Sequence, residues 1–147
     1  MIVDKESKAA LFLTAGSFLI LAWRGHQLFG GVGLYLLPLA ALVDIVPQVA
    51  LGLLAALLAG RLMKASFGTW GVIVLKLTAI MSVSATAVLT MQNSAAALLL
   101  VPFVYFMLIA VLFELKWYEA IVFAVALFAL RWAAAPLLHD LVNRVIP

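Results

Sequence analysis

Residues 34–60 read LYLLPLAALVDIVPQVALGLLAALLAG, and the fold turns on how this stretch is read. Its one charged residue is Asp44, and as continuous helix it covers about 40 Å, more than the roughly 30 Å hydrocarbon core of a bilayer. A run so long and so apolar reads as a membrane-spanning segment. Two accounts fit its interior. Either one tilted helix is kinked at Pro38 and Pro47, or the helix breaks and Asp44 caps a new one whose first turn holds Pro47.

The rest of the chain has the same character. Hydrophobic residues make up 68% of the 147 positions and charged residues 10%. A soluble domain is about half apolar and a quarter charged. The mean hydropathy is +1.27, and a water-soluble globule this small could not hide so much apolar surface. Lipid removes the conflict. The expectation is an all-α, polytopic transmembrane bundle of about five spans, near residues 9–29, 34–62, 70–90, 95–113 and 117–138, forming one integral membrane domain over 1–147.

Two of these segments are awkward. Ala9 to Trp23, between Lys8 and Arg24, covers only roughly 22 Å as helix and must continue toward Phe29 to cross; an interfacial or re-entrant helix is the competing reading. Gly30, Gly31 and Gly33 then break the chain. Asp4 and Glu6 dilute the positive charge of the N-terminus and no small-x-small cleavage site precedes Arg24, so the segment reads as a retained helix rather than a signal peptide. The last run must pass Arg131 to be long enough. Pro136 kinks or ends it, and 137–146 form an amphipathic tail with His139, Asp140, Asn143 and Arg144 on its polar side.

Basic residues set the expected orientation. Lys5, Lys8, Arg61, Lys64 and Lys116 gather on one side of a five-span plan, against Arg24 and Arg144 on the other. That excess places the N-terminus in the cytoplasm and the C-terminus outside a cytoplasmic membrane. Trp23, Trp70, Trp117 and Trp132 read as interfacial anchors. No internal repeat is visible.

Several functions are excluded. The net charge of +3 comes from scattered residues flanking apolar runs, not from a basic face, so nucleic acid is not an expected partner. Without cysteine there is no disulfide, thiolate metal site or cysteine nucleophile. Gly30-Gly31-Val32-Gly33 lacks the lysine of a phosphate-binding loop, and no Gly-x-Ser-x-Gly elbow exists. His26 and His139 both fall on the outer side, where a bis-histidine metal or haem site is conceivable, but no ligand spacing supports one. The expectation is no enzyme and no cofactor.

What remains are the polar residues inside the spans, which are costly there and mark functional candidates by default. Counting helix rise from the cytoplasmic ends places Asp44 at about 24 Å and Arg131 at about 20 Å, similar depths at which they could pair. Lys76, about 9 Å beyond Trp70, could meet Glu114 or Glu119 at the inner boundary. The candidate set is therefore Asp44, Gln48, Lys76, Glu114 and Arg131. Ala40, Asp44, Gln48, Gly52, Ala56 and Gly60 form one four-residue row, and Thr78, Ser82, Thr86 and Thr90 another. Rows of small and weakly polar residues let helices approach closely. These features point first to a non-enzymatic structural, assembly or membrane-organising subunit, associated with lipid and with a second copy or a membrane-protein partner. The alternative is a small oligomeric transporter or channel with a polar path around Asp44, Gln48, Lys76 and Arg131.

Overall fold

The computed structural model describes residues 5–64, 67–90 and 95–145, with the backbone alone for 89–90, 95–98 and 137–145. All the described elements are helical: α1 (Lys5–Phe29), a 3-10 turn (Gly30–Val32), α2 (Gly33–Met63), α3 (Trp70–Thr90), α4 (Ala95–Leu112) and α5 (Trp117–Val145). By length and apolarity three stretches qualify to cross a membrane, 5–63, 70–88 and 117–136, with a shorter apolar helix at Leu99–Leu112. The first of these contains two helices, because the chain doubles back at the 3-10 turn.

Both awkward segments resolve into single helices. α1 extends beyond its apolar run at both ends to 25 residues, roughly 37 Å. α2 runs unbroken for 31 residues through Pro38 and Pro47, so Asp44 lies inside a helix and caps nothing. Each proline removes one backbone donor; the remaining backbone bonds of the 31-residue helix hold the segment together. The helix also passes Pro136 in α5, through the stretch expected to be a separate tail. Left-handed residues end α2 and α4, Lys64 at φ 53° and Glu114 at φ 50°.

Small residues bring the helices together. At the α1–α2 turn the backbones of Gly25 and Gly33 meet, and a Cβ on either would run into the other's carbonyl. α1 buries Ser7, Ala10, Ser17, Leu21 and Gly25, a seam at spacings of three, seven, four and four. It lies along α3, where the Thr86 hydroxyl reaches the Ser17 carbonyl at 3.4 Å. α1 and α3 thus run parallel, both starting at one end of the bundle, here the near end. The Gly52 position of α2 packs against Leu77 of α3, where an added Cβ would lie 2.9 Å from the leucine methyls. Thr86 of the serine–threonine row of α3 therefore faces α1, while the small-residue row of α2 faces α3 at Gly52. α5 packs on α2 and α4, so α2, α3, α4 and α5 form a ring with α1 outside it against α2 and α3.

The centre of the bundle is apolar. Leu77, Ile80, Ile109 and Phe123 are fully buried, and Phe67, Phe113 and Phe123 form an aromatic cluster with ring centroids 5.3 to 5.6 Å apart. The outward surface is also apolar: Phe12, Leu19, Val43, Leu62, Val111 and Trp132 are all more than half exposed.

Candidate functional site

Apart from Ser17, Ser82 and Thr86, which are buried along α1 and α3, the polar side chains within the helices form two clusters on either side of that central layer. At the near end, Lys76 is buried at 6% exposure and its Nζ lies 3.4 Å from Glu6 Oε2 and 5.6 Å from the Phe113 ring centroid. The partner expected from the sequence was Glu114 or Glu119, but Lys76 meets Glu6, because α1 runs parallel to α3 and begins at the same level. Glu119 turns away and accepts the Lys116 backbone N–H at 2.9 Å. Glu114 nevertheless joins the cluster, its carboxyl within hydrogen-bonding reach of Glu6. Glu6 stands three residues ahead of the apolar run that starts at Ala9. The neighbouring Glu114 carboxyl, with partial desolvation, holds the Glu6 carboxyl above the usual range, and Lys76 opposes this. The near end is thus a buried ammonium paired with one carboxyl group, which in turn faces a second.

The second place lies between α2, α3, α4 and α5, toward the far end. A cavity of about 440 Å³ opens there, and its polar lining comes from Asp44 and Gln48 of α2, Ser84 of α3, Tyr105 of α4 and Arg131 of α5. Gln48 Nε2 donates to Asp44 Oδ2 at 2.6 Å, a pairing that the i, i+4 spacing on one helix face allows. The depth estimate put Asp44 and Arg131 at one level, and both do line this cavity. They do not pair: the one salt bridge among the described residues is that of Lys76 with Glu6. The neighbouring helices α2 and α5 hold the two charges apart along the lining instead. The other polar groups are locally satisfied, Ser84 by the Ile80 carbonyl at 2.8 Å and Tyr105 by the Met81 sulfur at 3.9 Å.

Lys76 is not part of this cavity. Leu77, Ile80, Ile109 and Phe123 lie between it and Arg131, so the expected set divides into Asp44, Gln48 and Arg131 at one site and Lys76 with Glu114 at the other. Sequence reasoning missed Glu6, which lies in the polar N-terminal stretch and whose contact with Lys76 spans 70 positions. It also missed Tyr105, although a lone polar residue within the apolar run of α4 is a readable signal. His26 is exposed at the end of α1, and the His139 side chain lies outside the described residues. No group of three or more potential metal ligands occurs among the described residues.

Neither a family model, nor a curated protein sequence, nor a solved structure matches this chain.

Proposed function

We propose that the protein is an integral membrane protein in which all five helices cross the bilayer, with the N-terminus in the cytoplasm and the C-terminus outside. In this reading it acts as a non-enzymatic structural, assembly or membrane-organising subunit. The observation that carries the reading is the apolar outside of the bundle. Small residues such as Ala10, Ala55, Ala59, Ala79 and Ala120 are buried at helix contacts beside large core side chains, and further leucine, phenylalanine and tryptophan side chains cover the outside. A protein surrounded by water does not leave an apolar surface of this extent bare. Helices associating in lipid, by contrast, pack through small residues and turn large apolar ones outward.

A structural role accounts for the polar groups as well. The buried Lys76 ties α1, α3 and the end of α4 together through Glu6 and Phe113, and Thr78, Ser84 and Thr86 bond to carbonyls of their own helix. Among the described residues, the apolar side chains of Leu77, Ile80, Ile109 and Phe123 separate the two polar clusters, which weighs against a channel. A carrier that opens alternately to each side is the second reading, favoured by the cavity at Asp44, Gln48 and Arg131.

Reconstitution distinguishes the two. Proteoliposomes holding the wild-type protein are expected to leak ions and small polar solutes no faster than protein-free ones, while cross-linking in native membranes yields a dimer or a complex with another membrane protein. A solute flux present in the wild type and abolished by Asp44→Asn, in a variant that folds normally, would establish the carrier instead.

A further inference from the structure

Opposite charges facing one apolar cavity without touching are an unusual arrangement. Each is costly at membrane depth unless it is partnered. Asp44 has one oxygen engaged by Gln48, and Arg131 makes no ion pair among the described residues. The cavity that both line is about 440 Å³, within the roughly 300–1,000 Å³ of small-molecule sites. Apart from its polar groups it is lined by aliphatic and aromatic side chains, among them Leu37, Val88, Pro102 and Phe128.

We propose that this cavity binds a zwitterion, with its ammonium at Asp44 and its phosphate or carboxylate at Arg131. A guanidinium grips such an anion with two parallel hydrogen bonds, and the free carboxylate oxygen of Asp44 accepts from an ammonium. Gln48 fixes the Asp44 carboxylate, and the apolar lining takes the remainder of the molecule. The ligand satisfies both charges at once, which neither a simple cation nor a simple anion does. The chemistry is that of a phosphoethanolamine group, which reaches the cavity either as a lipid headgroup or as a free solute. The inference rests on the membrane reading, since the cost of leaving both charges unpartnered is high only where water is scarce. It does not depend on which partner the protein assembles with, nor on any flux.

The full-length protein in detergent is titrated with three probes: short-chain phosphatidylethanolamine, the matching phosphatidylglycerol, which lacks the ammonium, and free glycerophosphoethanolamine. Binding is followed calorimetrically. Wild type is expected to bind phosphatidylethanolamine at least about tenfold tighter than phosphatidylglycerol, the scale of one charge-assisted hydrogen bond. Asp44→Asn removes this preference and leaves phosphatidylglycerol binding in place, whereas Arg131→Gln weakens both. Binding of glycerophosphoethanolamine within a few-fold of the lipid assigns a soluble zwitterion; binding of the acylated probe alone assigns the lipid. Equal wild-type affinity for the two lipids, or no binding of any probe, overturns the proposal. If Asp44→Asn does not fold, Ala40→Phe narrows the cavity without changing its charge. It must then abolish phosphatidylethanolamine binding, and retained binding also overturns the proposal. Failure here with cross-linking intact leaves the structural role standing, and loss of cross-linking with binding intact does the reverse.

Discussion

A single methyl group distinguishes two glycines of α1. At Gly25 it would run into the Gly33 carbonyl, whereas at Gly16 it meets nothing within 4 Å. Gly25→Ala is therefore expected to destabilise the protein by about 1–3 kcal/mol, as overpacking of a rigid contact does. Gly16→Ala should be neutral or slightly stabilising through helix propensity; thermal unfolding of the two variants in the same detergent checks both. Glu6 supplies a second test. Its carboxyl is held above the ordinary range chiefly by Glu114, so the folded state binds this proton more tightly than the unfolded chain. That contribution to stability is present in acid and is lost as pH rises through the raised folded value. Glu114→Gln removes the main cause, and the variant should lose less stability than wild type between about pH 4 and pH 7. An identical pH dependence in the two proteins would refute the carboxyl pairing.

At the scale of elements, Lys76 holds three segments together, so its removal should be felt beyond α3. Lys76→Met leaves two carboxyl groups facing each other and is expected to lower the unfolding temperature. The double variant Lys76→Met, Glu6→Gln should recover much of that loss, measured by thermal unfolding of the single and double variants. The five helices themselves were legible in the sequence, because apolar length and polar interruptions such as Gly30–Gly33 and Glu114–Lys116 delimit them. Depth could be counted too, which is why Asp44 and Arg131 were expected at one level. Rotation could not. Whether two residues at the same height touch depends on how each helix turns about its axis, and helix rise carries no information on that. The same limit hid the α1 seam: Ser7, Ala10, Ser17 and Gly25 do not form an even four-residue row, so their common face emerges only once α3 lies along it. The continuity of α2 was hidden for a different reason. Proline penalties are local, whereas the hydrogen bonding of a 31-residue helix is shared along its length.

For the molecule as a whole, the five-span proposal makes an accessibility pattern that the chain is well suited to reveal, since it has no native cysteine. Single cysteines at Lys8, Lys64 and Lys116 should all react with a membrane-impermeant reagent from the cytoplasmic side, and one at Gly30 from the opposite side. Labelling of positions 64 and 116 from different sides would reduce the number of crossings. The helices so arranged are far from equal in length. α2 has 31 residues and α4 has 18, roughly 46 Å against 27 Å. No flat bilayer matches both. A long helix tilts or projects, and a short one draws the leaflets together around it. The protein would therefore be ringed by lipid of uneven thickness, thinned beside α4, and membranes of different thickness should retain it to different degrees.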